Sequence, residues 1–350
     1  MSEEDNKISF THLHVHTQYS LLDGVASVDR LFQKAKEHNM TALAMTDHGN
    51  MFGICNFVES AVKYGIKPII GCEFYMAKED RFDRTDKTRF HQILLAKNEI
   101  GYKNLCTLSS LSFIDGYYYK PRIDKKILKE YSEGIIATTA CMAGFVPKAL
   151  FTEDVENNIK KGENEQKAEQ ELLELYDIFK DDFYLEVQRF GHPDQEKVNQ
   201  FLFKMSQKHN IKVIATNDVH YVNKEESVAH DILLCIQTGS DYDDPNRMRF
   251  VADTFYLKST EEMLEAFKDH PEVVYNTKEI VDKCWEPNLT KPVLLPQYEV
   301  PDNFNSQMEY LSYLTEQGLK RRFKEVNPEI RERIDYELKM MEKMGFAGYF

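Results

Sequence analysis

Short apolar runs alternate along the chain with longer segments whose apolar residues have helical spacing. In DQEKVNQFLFKMSQKHN (194–210), for example, the apolar side chains recur every three or four residues. Alternation of strands and helices is typical of a mostly parallel sheet, and about seven strands favour a barrel over a small open sheet. The strand-like runs lie at residues 11–16, 41–46, 67–76, 90–96, 133–140, 182–187 and 211–217.

Several helix ends and segments can be predicted from residue type. Ser27 is placed to cap a helix over SVDRLFQKAKEHN, and Gly65 is placed to end one over NFVESAVKYG. The highly charged segment 150–181 has an apolar edge, so we expect helices there on the outside of the barrel. DYDD (241–244) precedes a proline in a polar stretch and predicts a turn.

The composition and the apolar pattern of the sequence change after Trp285. Residues 286–305 are rich in proline and extended, which predicts a linker. Residues 306–350 then have the spacing of two helices and finish on the apolar GFAGYF. We therefore expect a barrel over 1–285, a linker, and the first helices of a further region of a longer chain.

Charge and cysteine usage narrow the class of protein. Lys+Arg 44 against Asp+Glu 58 give a net charge of −14, which argues against a general nucleic-acid coat but leaves room for a local basic track. The six cysteines form no C-x-x-C pair, as expected of reduced thiols in the cytoplasm. We see no secretory signal and no apolar run of membrane-spanning length, so no membrane partner is expected.

Polar residues that suit metal binding lie at the ends of the predicted strands. His12, His14 and His16 would share one face of the first strand, because strand side chains alternate. Asp218 and His220 repeat the same two-residue spacing at the end of the seventh run. Two such pairs at strand ends predict a shared metal site. His12 lies deeper, which suits a residue that supports the ligands or belongs to the core.

Further candidates follow the other strands. His48 comes after the second run, and Glu73 is a carboxylate in an apolar strand, where it needs a cation or a partner. Asp47 either orients a ligating imidazole or caps the turn. Cys141 is either a thiolate ligand, which favours zinc, or a small buried apolar residue. His91 begins its run, so either that strand runs the other way or His91 lies outside the cluster.

Four motifs together carry a resemblance to a known family. HLHVHTQYSLLDG, ALAMTDHGNMFG, PIIGCEFYM and IATNDVHY resemble the motif regions of the polymerase and histidinol phosphatase (PHP) domain. GYYYKPRID and ELKMMEKMGFAGYF narrow the resemblance to the N-terminal part of bacterial DNA polymerase III alpha subunits, running into the start of the polymerase palm. The resemblance covers essentially the whole chain.

The resemblance implies a distorted seven-stranded β/α barrel that holds two or three divalent metals. Zinc and manganese are expected, with magnesium and iron as alternatives. Glu73, Asp23 and Asp218 would serve catalysis, with Glu73 bridging metals, and Lys120 and Arg122 are candidate substrate contacts. The implied ligands are His14, His16, Asp23, His48, Glu73, His91, Cys141, Asp218 and His220.

The implied activity is hydrolysis of 3′-terminal phosphodiester bonds, that is 3′–5′ proofreading within a template-directed polymerase. The implied partners are DNA, the rest of the polymerase chain, the sliding clamp and a separate proofreading exonuclease. Three alternatives stay open: a metal-stabilised scaffold that only docks that exonuclease, a small-molecule phosphatase of the histidinol phosphate type, and an amidohydrolase barrel. The last class commonly needs a bridging lysine, which we do not find at a comparable strand end.

Overall fold

The computed structural model describes residues 9–153, 160–289, 294–295 and 298–350. Two compact units divide the chain, Met1–Leu289 and Thr290–Phe350. Residues 154–159 of the predicted outer helical segment, and 290–293 and 296–297 of the predicted linker, lie outside the described residues. The domain limits at 285 and 305 remain predictions.

Seven strands form one mixed sheet in the first unit, in the order β1-β2-β3-β5-β6-β7, with β4 paired to β2. Six of them coincide with the runs predicted from residue 41 onward; the two-residue β4 is too short to be detected from sequence. The strands are β1 (Ala42–Met45), β2 (Lys67–Ala77), β3 (Arg89–Ala96), β4 (Arg122–Ile123), β5 (Ile135–Thr138), β6 (Phe183–Val187) and β7 (Val213–Ala215).

The sheet is mostly parallel, but β3 runs antiparallel to both of its neighbours, β2 and β5. The remaining pairs are parallel. His91, near the start of β3, therefore lies at the same edge of the sheet as the ends of the parallel strands. Its partner across the ladder is Tyr75, two residues after Glu73. The antiparallel direction explains why a ligand candidate could begin its strand.

The first predicted strand, 11–16, is not a regular strand. It forms one isolated bridge, between Val15 and Val219. Its backbone nevertheless bonds on both sides: Ala44 N donates to His12 O at 3.0 Å, and His16 N donates to Val219 O at 2.7 Å. The segment thus lies between β1 and the chain after β7, which closes the sheet into a distorted barrel.

Helices cover the barrel, and side-chain alternation assigns the two faces of each strand. On β1, Ala42 and Ala44 point into the small inner core, while Leu43 and Met45 pack in the large core under the helices. The helices of this unit are α1 (Val28–Glu37), α2 (Ile54–Tyr64), α3 (Glu99–Ile114), α4 (Lys125–Glu130), α5 (Phe145–Leu150), α6 (Glu165–Phe179), α7 (Pro193–His209), α8 (Ser227–Thr238), α9 (Thr260–Ala266), α10 (Glu272–Tyr275) and α11 (Thr277–Lys283).

The helix-end predictions were correct in position. Gly65 ends α2 in the left-handed conformation, with φ +67°. Ser27 is the N-cap of α1, although its side chain makes no capping hydrogen bond. The predicted outer helix is α6, which buries Leu172, Leu175 and Phe179 against the core.

The second unit contains the two helices predicted after the linker, α12 (Gln307–Arg322) and α13 (Pro328–Met344). Ser306 caps α12 through Glu309 N, and Asn327 caps α13 through Ile330 N. Nowhere in the part of the chain that is described does a helix combine the length and the apolar character needed to span a membrane.

Candidate metal centre

Glu73 lies at the centre of a cluster of imidazoles inside the barrel mouth. Its side chain is 0% exposed. Oε2 lies 2.6 Å from His48 Nδ1, and Oε1 lies 2.9 Å from His91 Nδ1 and 3.4 Å from His14 Nε2. One carboxylate therefore contacts histidines from three separate segments of the chain, which is the arrangement expected of a residue that bridges metals.

The histidine pair of the first segment faces the aspartate that follows β7. His14 Nε2 and His16 Nε2 lie 3.2 Å apart, and Asp218 Oδ1 is 3.1 Å from the former and 3.2 Å from the latter. His220 Nδ1 lies 3.6 Å from the same oxygen. The two i, i+2 pairs thus meet at one point, as the sequence predicted.

The remaining predicted ligands complete the rim. Asp23 Oδ2 lies 2.8 Å from His48 Nε2 and 3.8 Å from His220 Nε2. Cys141 Sγ lies 3.7 Å from Glu73 Oε1 and 3.6 Å from His91 Nδ1. All nine predicted ligands therefore lie in one cluster.

Three of the seven non-glycine residues with a positive φ among the described residues belong to or border this cluster. Asp218 itself has a positive φ of 50°, as do Ala140 (56°) before Cys141 and Leu22 (62°) before Asp23. Such conformations cost energy for residues other than glycine and are typical of functional sites. Gly24 is required for a different reason, because a Cβ there would lie 2.1 Å from Thr17 O. The chain is bent at these points to direct side chains inward.

The atoms of the cluster fit a cation better than they fit one another. Asp23 Oδ1, Glu73 Oε2, Asp218 Oδ1 and His48 Nδ1 are buried without a hydrogen-bond partner among the described residues. His48 Nδ1 and Glu73 Oε2 are close, at 2.6 Å, but their geometry is not that of a hydrogen bond. Buried polar atoms without partners are costly, and a bound divalent ion would satisfy them.

Neighbouring charges oppose the effect of burial on the pKa values of His14 and Glu73, and reinforce it for Cys141. Burial lowers the pKa of His14, but Asp218, Glu186 and Glu73 outweigh it and hold that pKa well above its usual range. Burial raises the pKa of Glu73, but His91, His48 and His14 hold it well below its usual range. Burial, with Glu73 and Asp218, raises the pKa of Cys141 well above normal, so its thiolate requires a nearby cation.

Two supporting residues were missed in the sequence. Glu186 on β6 is buried and accepts from His14 Nδ1 at 2.7 Å, so His14 presents Nε2 to the cluster. It gave the same signal as Glu73, a carboxylate in an apolar strand. Ser20 Oγ lies 3.0 Å from His16 Nδ1 and donates to Asp47 at 2.6 Å. Asp47 therefore acts on the imidazole of His16 through Ser20, and not directly.

His230 is a further histidine that the sequence gave no reason to select. It lies on α8, is 2% exposed, and places Nε2 3.6 Å from Asp23 Oδ1. Both atoms lack a hydrogen-bond partner among the described residues. Asp23, His220 and His230 together have the spacing of a possible metal-binding group. A single histidine on a helix carries no such signal by itself.

His12 belongs to the core and not to the support of the ligands. Its Nε2 lies 2.9 Å from Lys258 O, and its ring packs edge-on against Phe10. Segment 11–16 is not a regular strand, so the expected shared face of three histidines does not extend to His12. Burial lowers the pKa of His12 to about 3, so it is neutral.

The two predicted substrate contacts differ in placement. Arg122 is 1% exposed, and its guanidinium donates to the carbonyls of Gly116, Asp86, Arg81 and Asp83. Arg122 therefore holds a loop together, and its buried guanidinium is not available to contact a substrate. Lys120 is half-buried, with Nζ 5.6 Å from the ring of Tyr75, which stacks on His48. It lies beside the cluster.

A cavity of about 410 Å³ opens onto the cluster. Its lining includes six of the predicted ligands and five apolar side chains, and the two sets meet where the ring of Phe250 packs on His220 at 4.9 Å between centroids. The ligands are Asp23, His48, His91, Cys141, Asp218 and His220, and the apolar residues are Phe190, Met248, Phe250, Val251 and Phe255. A larger depression of about 660 Å³ follows α6 and includes no residue of the cluster.

Comparison with known proteins agrees with the motifs. A family model described as the PHP domain matches residues 12–190, about half of the chain and seven of the nine predicted ligands. The chain belongs to the PHP domain family. Asp218 and His220 lie beyond the matched part of the PHP domain. A second model, described as the bacterial DNA polymerase III alpha NTPase domain, matches residues 309–350.

This PHP-domain chain is also similar in sequence to bacterial DNA polymerase III alpha subunits. A DNA polymerase III subunit alpha from Borreliella burgdorferi is 47% identical over 97% of the chain, and one from Treponema pallidum is 44% identical over 98%. The chain spans only 29% of the length of each. The resemblance to these alpha subunits, predicted from the motifs, is confirmed.

Two solved structures have some likeness to this PHP-domain chain. An amidohydrolase from Chromobacterium violaceum has a TM-score of 0.39 and 12% identity, covering 61% of this chain and 88% of that one. A two-domain protein from Bacteroides vulgatus is described as containing a predicted PHP-like metal-dependent phosphoesterase. It has a TM-score of 0.37 and 13% identity, and the match covers 67% of this chain and 56% of that one. At such low TM-scores, neither structure informs the function of this chain.

Proposed function

We propose that the chain forms part of a DNA polymerase III alpha subunit and that its metal centre hydrolyses 3′-terminal phosphodiester bonds of DNA. The observation that carries this proposal is the convergence of all nine predicted ligands around Glu73, at the base of an open cavity. A complete set of ligands beside a cavity suits chemistry better than a purely structural role.

Glu73 would bridge the metals, because its carboxylate contacts His14, His48 and His91. The other proposed ligands are His14, His16, Asp23, His48, His91, Cys141, Asp218 and His220. Divalent ions held there would lower the pKa of a bound water and offset the charge that develops on the phosphate. Glu73, Asp23 and Asp218 are the proposed catalytic carboxylates, because each presents a buried oxygen without a hydrogen-bond partner among the described residues. Zinc and manganese are the proposed metals.

The wider setting is part of the same proposal. We place the chain in the cytoplasm, within a template-directed polymerase, with DNA, the remaining polymerase chain, the sliding clamp and a separate proofreading exonuclease as partners. These 350 residues alone should not add nucleotides. The amidohydrolase alternative finds little support, because the described residues that line the cavity include no lysine.

The test is release of nucleotides from a 3′-labelled oligonucleotide by the purified chain at low salt. Low salt matters because a net charge of −14 repels DNA. Release should stop on chelation and return with manganese or zinc. An Asp23→Asn, His48→Ala double variant, purified identically, excludes a contaminating nuclease. Equal release by parent and variant would mean that a contaminating nuclease is responsible. Absence of release with every metal would contradict the proposed hydrolysis and leave the scaffold and the small-molecule phosphatase as the alternatives.

A further inference from the structure

Exposed apolar side chains surround the mouth of the metal centre. Met248 is 52% exposed and Val251 is 62% exposed, and both line the cavity together with Phe250. Apolar surface beside a highly charged cluster is unfavourable in water and is not needed to handle a phosphate group. Apolar and aromatic side chains beside a few polar groups are the usual lining of a ligand site. We call Phe190, Met248, Phe250, Val251 and Phe255 the apolar wall.

The loop that supplies most of the apolar wall is held in place by its own contacts. Arg247, with a side chain 1% exposed, forms a two-pronged ion pair with Asp231 on α8, and its Nε donates to Tyr242 O at 2.9 Å. The ring of Phe250 packs against those of His230, at 4.5 Å, and Phe255, at 4.8 Å, between centroids. The apolar wall is therefore formed before any ligand arrives.

A positive charge accompanies these rings. Arg249 is exposed, lines the cavity, and donates from Nη2 to Tyr242 O at 3.2 Å. Among the described residues that line the cavity it is the one lysine or arginine. The same side chain also lines a neighbouring depression beside α8, with His230, Asp231 and Tyr242. Because Asp23 and Asp218 are the carboxylates that line the cavity, Arg249 offers an anionic ligand a favourable contact at its edge.

We propose that the apolar wall receives the base of a single unpaired 3′-terminal nucleotide, while Arg249 contacts the phosphate backbone next to it. The inference rests on the proposed hydrolysis and adds which part of the substrate each side of the cavity takes. Aromatic side chains stack on bases without regard to sequence, as a proofreading site requires. A base must leave its duplex stack to enter such a pocket, which favours frayed ends.

The size of the cavity supports one nucleotide. Its volume of about 410 Å³ lies near the lower end of the range for small-ligand sites, roughly 300–1,000 Å³. A phosphorylated small molecule without a ring would leave the apolar wall exposed. A nucleotide should therefore bind more tightly than a simple phosphate ester, because its base contacts the apolar wall.

Binding of products tests this without turnover. Calorimetry on the full, manganese-loaded chain would compare thymidine 5′-monophosphate with 2-deoxyribose 5-phosphate, which lacks only the base. We expect the nucleotide to bind roughly 5- to 150-fold more tightly, the range for one base stacked on an aromatic ring. Phe250→Ala should remove most of that ratio. Phe82→Ala removes an exposed ring that does not line the cavity and should leave the ratio unchanged. Because Phe250 also packs on His220 at 4.9 Å, the metal content of Phe250→Ala is measured alongside.

Further variants separate folding from recognition. Phe250→Leu keeps an apolar side chain and should lose the base preference while keeping the parent metal content. Arg249→Gln should weaken binding of both phosphates alike, whereas Lys126→Gln on α4, outside the cavity lining, should weaken neither. Equal binding of the two phosphates by the parent, absence of binding by either, or equal effects of Phe250→Ala and Phe82→Ala would each overturn the inference.

The two proposals fail in different ways. Metal-dependent release of nucleotides without any base preference in binding would contradict the base pocket and leave the hydrolysis standing. Base-selective binding of the product, with no release of nucleotides under any metal, would contradict the hydrolysis. In that second case the base pocket remains as a nucleotide-binding site on a scaffold.

Discussion

The inner and outer halves of the metal centre are built differently. His14, His16 and Glu73, the inner half, are 0% exposed, and both histidines are oriented by further side chains behind them. Asp23, His48 and His91, the outer half, have side chains 13–20% exposed and line the cavity. The inner half is integrated into the barrel core, and the outer half faces the space that a substrate would occupy.

This difference teaches which property each half should control. A buried charge that loses its partners destabilises the whole fold, whereas a charge at the rim can be solvated by water. Changes to the inner half should therefore cost stability and metal together. Changes to the outer half should cost activity with much less effect on folding.

The largest effect is expected for Glu73→Ala. It removes the carboxylate that four histidines contact, so metal content should fall, hydrolysis should become undetectable, and the free energy of unfolding should drop by about 3–5 kcal/mol. Elemental analysis and urea denaturation measure the two losses. Glu174→Ala, which removes a surface carboxylate paired with Lys125, should cost about 0–1 kcal/mol. Full metal content in Glu73→Ala would contradict its central position.

Asp23→Asn tests the outer half. It keeps the shape of the side chain but removes its charge, so we expect hydrolysis to fall roughly 100- to 1,000-fold. Unfolding should change by only about 1 kcal/mol, because the side chain borders the cavity. A loss of stability as large as that of Glu73→Ala would remove the distinction between the two halves.

The sequence predicted six of the strands well, and it selected nine residues that the structure places in one cluster. That those nine residues bind metal remains a prediction. Histidine pairs at i, i+2 have a local signature, but a glutamate in an apolar strand is less specific, because Glu186 gave the same signal as Glu73 and was not selected. The direction of β3 had no local signature, since antiparallel pairing depends on distant contacts. His91 could therefore be placed in the cluster only by resemblance.

Residues that act at a distance were harder to predict. Ser20 and His230 have ordinary surroundings in the sequence and gain a role only when the loop before Gly24 and helix α8 meet the barrel mouth. For Arg122 the sequence suggested a role that the structure does not support. Its charge suggested a contact with phosphate, but its guanidinium donates to four backbone carbonyls. Charge alone does not tell whether an arginine holds a loop or a ligand.

Glu186→Gln tests the support behind the inner half. Glu186 accepts from His14 Nδ1 at 2.7 Å, so the variant should disturb the orientation of that imidazole and weaken metal binding about 10- to 100-fold. Glu169→Gln is the matched control, because Glu169 contacts His209 Nε2 at 2.6 Å on the outer surface. Competition with a fluorescent chelator measures the affinity. Equal affinity in the two variants would mean that the inner histidines need no support.

The smallest effect is expected at His12. This histidine belongs to the core, whereas His14, two residues later, belongs to the inner half. Burial lowers the pKa of His12 from 6.5 to about 3. The folded protein therefore keeps this group neutral, and stability is lost as pH falls below 6.5, because the unfolded chain binds the proton and the folded chain does not. Between pH 6.5 and pH 5.5 the loss is about 1 kcal/mol. His12→Gln cannot titrate and can still donate to Lys258 O. Urea denaturation at the two pH values should therefore show a loss of stability that is about 1 kcal/mol smaller in the variant than in the parent. An identical pH dependence in parent and variant would mean that His12 is accessible to protons in the folded state, and would reopen a place for it beside the metal ligands.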